Sequence, residues 1–265
     1  MSKLELRGIT KSFHEGSHTL HVIEPVDLEV AEHELVSLIG PSGCGKTTLF
    51  NIAAGLLEAD AGDVLIDGHT RPGDDHRVGY MLQKDLLLPW RSVISNVALG
   101  LELRGMRPRA ARARAKPLLE RFGLAGFENR YPSQLSGGMR QRAALLRTLL
   151  PDPGVLLLDE PFSALDAQTR SLMQEWLLEV KEQTGATVLL VTHDVEESIM
   201  LADRIYVMTA RPGRIKACLE VPFARPRDLE LIADPAFVAL KQQLVRLLRD
   251  ESRLALDQDD APTWR

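Results

Sequence analysis

The chain has little cysteine, few aromatic residues and no long apolar run. Only Cys44 and Cys218 are present among 265 residues, so a disulfide framework is not expected and a reducing cytoplasm is the default compartment. No apolar stretch approaches the ~18 residues that a membrane-spanning helix needs. Residues 1–10 lack the apolar segment of a secretory signal peptide. These features favour a protein that folds without disulfides and outside the bilayer.

An excess of positive charge is also absent. The formal net charge is −5 at pH 7, so the overall balance does not indicate a nucleic-acid partner. Hydrophobic residues make up 45% of the chain and charged residues 26%, which is enough for a sizeable core. We find no internal repeat and no low-complexity tract.

Residues 40–47, Gly-Pro-Ser-Gly-Cys-Gly-Lys-Thr, fit the phosphate-loop pattern G-x-x-x-x-G-K-[ST]. Glycines let the backbone curl so that successive N–H groups face an anion. Lys46 adds a positive charge near the β- and γ-phosphates, and the Thr47 hydroxyl can hold Mg²⁺. The apolar run 35–39 before the loop predicts a buried strand, and helical spacing begins after it at Leu49. The residues expected to contact ATP here are Gly40, Pro41, Ser42, Gly43, Cys44, Gly45, Lys46, Thr47 and Thr48.

The thiol of Cys44 carries a separate expectation. It lies beside a predicted helix N-terminus and beside Lys46, and both favour the thiolate form. We therefore expect maleimide to inactivate the nucleotide-free protein and MgATP to protect it.

Two carboxylates, Asp159 and Glu160, close the apolar run 155–158. In a parallel sheet, the carboxyl end of a strand is where ligands bind. One carboxylate can hold Mg²⁺, while the next can orient and deprotonate an attacking water. The pair therefore predicts a hydrolytic centre next to the phosphate loop.

Residues 135–142, Leu-Ser-Gly-Gly-Met-Arg-Gln-Arg, narrow the function. Ser136 is a good helix N-cap, and the glycines after it leave N–H groups available to a second anion. The sequence here resembles the ABC transporter ATPases, which carry a Leu-Ser-Gly-Gly signature. In that family two cassettes dimerise head to tail, and the signature of one closes over the γ-phosphate held by the other. The resemblance therefore implies that Ser136, Gly137 and Gly138 contact ATP held by a second copy of the chain.

Other elements of the family occur in the same order in this chain. Gln83 matches the glutamine that senses Mg²⁺, water and the membrane partner, and Asp166 matches the aspartate that bridges the dimer. His193 matches the switch histidine that contacts the γ-phosphate. Phe13 takes the place of the aromatic residue that stacks on adenine, although the family often has tyrosine there.

The resemblance implies a division of catalytic work. Glu160 polarises the water, while Lys46 and His193 stabilise the transferring phosphoryl group. Mg²⁺ is held through Thr47, Gln83 and Asp159. ATP and Mg²⁺ are therefore the expected cofactors, with Glu160, His193, Gln83 and Lys46 in catalytic roles.

The fold class expected is α/β. It comprises a P-loop NTPase (RecA-like) parallel-sheet core, an N-terminal antiparallel β-subdomain and an inserted α-helical signature subdomain. Alternating residues near the N-terminus predict antiparallel strands, and continuous apolar runs further on predict parallel ones. The alternating segments are 4–6, 26–30 and 64–66, and the continuous runs are 155–158, 187–191 and 205–208. We assign residues 1–225 to the ATPase domain, about 84–153 to its helical subdomain, and 226–265 to a short C-terminal helical extension.

In the C-terminal extension, Asp234-Pro235 predicts a helix start. An apolar stripe runs from Phe237 to Leu248, and it either docks on its own domain or binds a partner. From Asp257 onward the chain is polar, and we expect it to be frayed.

The kind of cassette is indicated by three further segments. Residues 86–90, 209–215 and 222–228 resemble those of importers for nitrate, sulfonate, taurine and thiamine precursors. This implies a separate transmembrane permease, a solute-binding protein and a peripheral position on the cytoplasmic face of the inner membrane. Trp90 is expected in the groove that receives a short permease helix, with a core position as the alternative. An exporter or a non-transport regulatory complex remains the alternative function.

Overall fold

The computed structural model describes residues 2–16, 18–70 and 78–259. The chain forms two compact units. Unit 1 comprises Met1–Asp75 and Thr187–Arg265, and unit 2 comprises His76–Ala186. The strands are β1 (Ser2–Glu15), β2 (His18–Ala31), β3 (Leu35–Ile39), β4 (Ala61–Ile66), β5 (His69–Thr70), β6 (Val78–Met81), β7 (Val155–Asp159), β8 (Thr187–Val191), β9 (Arg204–Met208) and β10 (Ile215–Glu220). The α-helices are α1 (Lys46–Ala54), α2 (Val93–Val97), α3 (Leu99–Leu103), α4 (Pro108–Arg121), α5 (Gly137–Leu149), α6 (Ala167–Thr184), α7 (Val195–Leu201) and α8 (Pro235–Asp259).

Unit 1 contains an antiparallel sheet with the strand order β2-β1-β4-β5. In its register Leu4 lies opposite both Val30 and Ile66, and Leu6 lies opposite Leu28. These apolar side chains are buried, because successive residues of a strand point to opposite faces and the alternating ones share the inner face. The predicted antiparallel β-subdomain is therefore confirmed.

Unit 1 also contains parallel strands that carry the phosphate loop. Strand β3 pairs in parallel with β8 on one side and β9 on the other, and β10 pairs antiparallel with β9. Every residue of β3 and β8 is buried, which explains their continuous apolar sequences. The polar residue Ser37 in β3 is accommodated because its hydroxyl lies 2.9 Å from that of Ser198 on α7.

Unit 2 combines two parallel strands with helices. Strand β6 pairs in parallel with β7, and helices α2 to α5 lie between them in the chain. Helix α5 begins directly after Ser136, and β7 ends at Asp159. Unit 2 therefore carries both the signature segment and the carboxylate pair, while the subdomain boundaries at 84 and 153 stay predictions.

Helix α8 begins as the sequence predicts. Asp234 accepts a hydrogen bond from the backbone N–H of Ala236 at 2.7 Å, and Phe237, Leu240 and Leu244 are buried. The helix packs on α7 and β9, so its apolar stripe docks on its own unit. It continues to Asp259, into the segment expected to be frayed, and residues 260–265 lie outside the described part of the chain.

Across residues 2–16, 18–70 and 78–259, no helix combines the length and the apolar character that spanning a bilayer demands.

Candidate active site

The phosphate loop of unit 1 requires glycine for two different reasons. Gly43 and Gly45 have φ of 73° and 103°, in the left-handed region that side chains disfavour. At Gly40 the limit is space, because a Cβ would lie 3.0 Å from the Cys44 sulfur and 3.0 Å from the Met208 Cβ. Helix α1 starts right after Gly45, so its first N–H groups, which have no partner within the helix, are placed to bind an anion.

The ammonium of Lys46 is held by the loop itself. Its Nζ donates to the carbonyl oxygens of Gly40 and Pro41, both at 2.8 Å. Only 9% of the Lys46 residue is exposed. The positive charge is thus already fixed within the loop where phosphates are expected.

The expectation that the surroundings of Cys44 favour its thiolate is wrong. Cys44 is fully buried, and burial raises the pKa of its thiol although the charge of Lys46 and hydrogen bonds from it act in the opposite direction. The Lys46 Nζ does lie 3.7 Å from the sulfur. The sequence therefore predicted the neighbouring charge correctly, but it did not reveal the cost of burying a thiolate.

We therefore expect Cys44 to be slow to react in the nucleotide-free folded protein. N-ethylmaleimide should modify the exposed Cys218 first, as measured by mass spectrometry of peptides over time, because only an accessible thiolate attacks the reagent. A Cys218→Ser variant isolates the Cys44 rate. Faster labelling of Cys44 than of Cys218 would contradict the burial seen here.

Two further residues predicted for the site belong to unit 1. His193 is exposed and follows β8, and the next residue, Asp194, caps α7 by accepting from the N–H of Glu196 at 2.9 Å. Phe13 lies on β1 with 42% of its surface exposed. The Lys11 Nζ lies 5.7 Å from its ring centroid. Phe13 therefore keeps exposed ring surface, as stacking on a base requires.

In unit 2 the two carboxylates Asp159 and Glu160 differ in burial, since Asp159 is buried and Glu160 is partly exposed. Asp159 is 1% exposed at the end of β7, and burial together with the Asp159 charge raises the pKa of the neighbouring Tyr80. Glu160 has a φ of 48°, which costs a non-glycine residue ~1–3 kcal/mol. Its carbonyl accepts from the Ser163 hydroxyl at 3.0 Å, which helps to hold this turn.

The structure brings Gln83 and Glu160 together. The Gln83 Nε2 donates to the Glu160 Oε2 at 3.3 Å. A carboxylate and an amide that share a hydrogen bond can both reach one water molecule, which is the geometry that a general base and a water-orienting group need.

The signature segment has the N-cap that the sequence predicts. The Ser136 Oγ accepts from the Met139 N–H at 3.3 Å. A Cβ on Gly138 would lie 3.3 Å from the Leu165 Cδ2, whereas a Cβ on Gly137 would have only an Arg140 nitrogen near it, at 4.0 Å. The exposed N-terminus of α5 is therefore accessible to an anion.

Asp166 has a local structural task. Its carboxylate caps α6 by accepting from the Thr169 N–H at 3.0 Å and from the Thr169 hydroxyl at 2.7 Å. These hydrogen bonds hold the pKa of Asp166 below its ordinary value. The residue is therefore anionic at neutral pH and exposed.

A residue that sequence reasoning missed is Asn96. It is fully buried, and its Nδ2 donates to the carbonyls of Leu88, Arg91 and Ser92 at 3.0–3.2 Å. Its Oδ1 accepts from the Leu88 N–H at 2.7 Å. This network fixes the turn that carries Trp90, whose surface is 72% exposed. The alternative of Trp90 as a core residue is therefore wrong.

Comparison with known proteins places this architecture. Residues 23–163 match the family described as ABC transporter. The chain belongs to the ABC transporter family. The predicted fold class and family are thereby confirmed, and as a member of this family the cassette is an ATPase.

Relatives of the cassette include importer subunits. It is 44% identical, over 84% of its length and 89% of the relative, to the taurine import ATP-binding protein of Yersinia pestis bv. Antiqua. It is 42% identical to the aliphatic sulfonates import ATP-binding protein of Bacillus cereus, with 86% and 90% covered. A dimeric ATP-binding cassette in a post-hydrolysis state, bound to ADP and Pi, is similar with a TM-score of 0.76 and 31% identity, covering 83% of the cassette and 100% of that chain.

The segment 222–228, which resembles the corresponding segment of importer subunits, supports helix α7. A guanidinium nitrogen of Arg227 donates to the carbonyls of Ile199 and Ala202, both at 2.7 Å, at the end of α7 where cations are favoured. Its Nε donates to the Phe223 carbonyl at 3.0 Å. Burial lowers the pKa of Arg227 to about 10, so the side chain remains charged at pH 7.

We expect Arg227→Met to lower the free energy of unfolding by about 2 kcal/mol, because several half-buried carbonyls lose their donor. Thermal denaturation followed by circular dichroism measures the change. Arg109→Met, on an exposed position of α4, is the matched control and should change little. An unchanged melting temperature for Arg227→Met would mean that α7 does not depend on this segment.

Proposed function

We propose that the cassette is the ATP-hydrolysing subunit of an importer, and that it drives uptake of a small solute of the nitrate, sulfonate, taurine or thiamine-precursor class. The observation that carries the import assignment is the 44% identity to a taurine import ATP-binding protein over 84% of the chain. The working form is a head-to-tail dimer attached to a separate permease on the cytoplasmic face of the inner membrane, with a solute-binding protein on the other side.

In this proposal the loop residues 40–48 bind the phosphates through backbone N–H groups. The Lys46 ammonium, which now contacts the Gly40 and Pro41 carbonyls, moves to the phosphate oxygens. The gain comes from the charge of the acceptor, because the carbonyls that Lys46 leaves are neutral whereas the phosphate oxygens that it gains are anionic.

Glu160 then acts as the general base. Its carboxylate accepts a proton from the attacking water, and the Gln83 amide, 3.3 Å from it, orients that water. Lys46 and His193 stabilise the charge on the transferring phosphoryl group. Positioning and preorganised charge supply most of the effect, because phosphoryl transfer asks for little covalent work from the protein.

The residues assigned to Mg²⁺ suit that ion. Thr47, Gln83 and Asp159 offer oxygen atoms, the ligands that Mg²⁺ prefers. Within the described ranges, no group of three or more His, Cys, Asp or Glu side chains is placed to hold a metal ion. A metal held partly by nucleotide phosphates, with these three side chains supplying the protein oxygen atoms, would fit this donor set. When bound, it offsets the negative charge of the phosphates.

The second copy completes the site. The proposal assigns the exposed α5 N-terminus, with Ser136, Gly137 and Gly138, to the γ-phosphate bound by the other copy. Asp166 is assigned to the contact between copies. Support comes from the dimeric state of a similar cassette that was captured with ADP and Pi.

Reconstituted transport tests the proposal. Vesicles that contain the permease and enclose this chain and ATP should accumulate taurine, an alkanesulfonate, nitrate or a thiamine precursor when the binding protein is supplied outside. Vesicles with ADP inside are the control. ATP-driven efflux would favour the exporter alternative, and ATPase activity that no permease stimulates would favour a regulatory complex.

A further inference from the structure

One arginine of α5 grips the segment between Gln83 and Trp90. The two terminal nitrogens of Arg147 donate to the carbonyls of Asp85 and Leu86 at 2.8 Å and 2.7 Å. These are consecutive carbonyls of one short stretch. A planar guanidinium can hold both at once in a fixed orientation, whereas an ammonium cannot.

The backbone at Leu86 is not in a conformation that this residue prefers on its own. Leu86 has a φ of 43°, which costs energy for a residue with a side chain unless surrounding contacts impose it. Half of the Leu86 surface is exposed, so burial of its side chain is not what imposes it. The two hydrogen bonds from Arg147 to the Asp85 and Leu86 carbonyls are contacts that help to hold it.

A second arginine of the same helix contacts the same stretch. The Arg140 Nε donates to the Asp85 carboxylate at 3.0 Å, and its terminal nitrogen donates to the Leu135 carbonyl at 2.9 Å. Asp85 in turn accepts from the Leu87 N–H at 3.1 Å. Arginines of helix α5 thus bind three oxygen atoms of Asp85 and Leu86, and the N-cap of the same helix is Ser136.

Beyond this stretch, hydrogen bonds of Asn96 hold the turn that carries Trp90. Asn96 bonds to Leu88, Arg91 and Ser92, so the turn cannot change shape without leaving a fully buried amide unpaired. Hydrogen bonds therefore hold the chain on both sides of the Leu87–Leu88 peptide bond, to the signature helix on one side and within the turn that presents Trp90 on the other.

We propose that Arg147 is a positioning residue that ties Trp90 to the signature helix, so that displacement of α5 when a second copy closes on ATP moves the Trp90 surface. This rests on the dimer of the proposed function. Arg147 touches no phosphate in this arrangement, so its loss separates the Trp90 movement from ATP-driven dimerisation. The hydrogen bonds between α5 and the segment before Trp90 would carry this coupling, because a displacement of one element moves the other when the two are held together.

The test uses Trp90 as its own reporter. Trp176→Phe and Trp264→Phe leave Trp90 as the single tryptophan, and Glu160→Gln is included because we expect it to trap the ATP-bound state. Quenching of Trp90 fluorescence by acrylamide is measured with and without ATP, and dimerisation is followed by size-exclusion chromatography. We expect ATP to change the quenching constant with Arg147 present, and Arg147→Met to remove most of that change while the dimer still forms.

Two further variants complete the design. Arg147→Lys, which keeps the charge and is the safer variant for folding, should retain less than half of the change. Arg109→Met on α4 should retain all of it. A full Trp90 response in both Arg147 variants, or a parent protein that dimerises without any response, would overturn the inference. If the parent does not dimerise on ATP, the proposed dimer itself fails and the inference falls with it.

Discussion

Glu160→Gln is expected to abolish ATP turnover and to leave ATP binding intact. The substitution removes the proton acceptor, and loss of a general base lowers the rate by about 10²–10⁴-fold. The phosphate loop is untouched, so nucleotide affinity should stay close to that of the parent. Phosphate release measures turnover, isothermal titration calorimetry measures binding, and size-exclusion chromatography should detect a trapped ATP-bound dimer.

A matched control is available on α6. Glu182 is exposed, and Glu182→Gln changes the same atoms without touching the site, so its turnover should equal that of the parent. The 3.3 Å contact of Gln83 with Glu160 can survive as an amide–amide hydrogen bond, so the local fold should be kept. Near-normal turnover in Glu160→Gln would remove Glu160 from the role of base.

Trp90→Ala is expected to weaken assembly with the permease and to abolish transport. An exposed tryptophan on a rigid turn has the properties of a binding hot spot, where truncation costs about 2 kcal/mol or more. Because 72% of its surface is exposed, its removal should leave folding and ATP binding unchanged. Co-purification with the permease and solute uptake into vesicles measure the two effects.

The control for this change is Leu172→Ala, which truncates another exposed apolar side chain, 60% accessible on α6. It should assemble and transport normally. Normal assembly and uptake in Trp90→Ala would show that the permease binds elsewhere. Loss of folding or of ATP binding would mean that the turn has a structural role.

From the sequence we could locate strands β1–β4 and β7–β9 and the starts of helices α1, α5 and α8, because burial and capping leave a direct pattern. Strands β3 and β8 are buried at every position and read as continuous apolar runs. Helix α8 shows its start in Asp234 and its docked face in a stripe of apolar residues. In such segments apolar side chains mark the buried positions, so the sequence pattern reports burial directly.

Contacts to the main chain could not be predicted in the same way. Asn96 and Arg147 act on carbonyl groups, which every residue carries, so nothing in the partner's sequence identifies them. The sequence did identify the pairing of Cys44 with Lys46, and it failed on the Cys44 pKa because the balance between desolvation and a nearby charge depends on burial depth. The catalytic roles assigned to Glu160 and Gln83 stay predictions until the variants are measured.

The hydrogen bonds of Lys46 to its own loop affect which ligands the loop can bind. The Lys46 ammonium already donates to two carbonyl oxygens at 2.8 Å. A ligand that binds Lys46 must therefore replace these hydrogen bonds with its own. A neutral nucleoside offers acceptors no stronger than those it displaces, whereas a polyphosphate offers ionised oxygens that bind a cation more tightly. In the proposed site, Lys46 therefore favours a polyphosphate over adenosine.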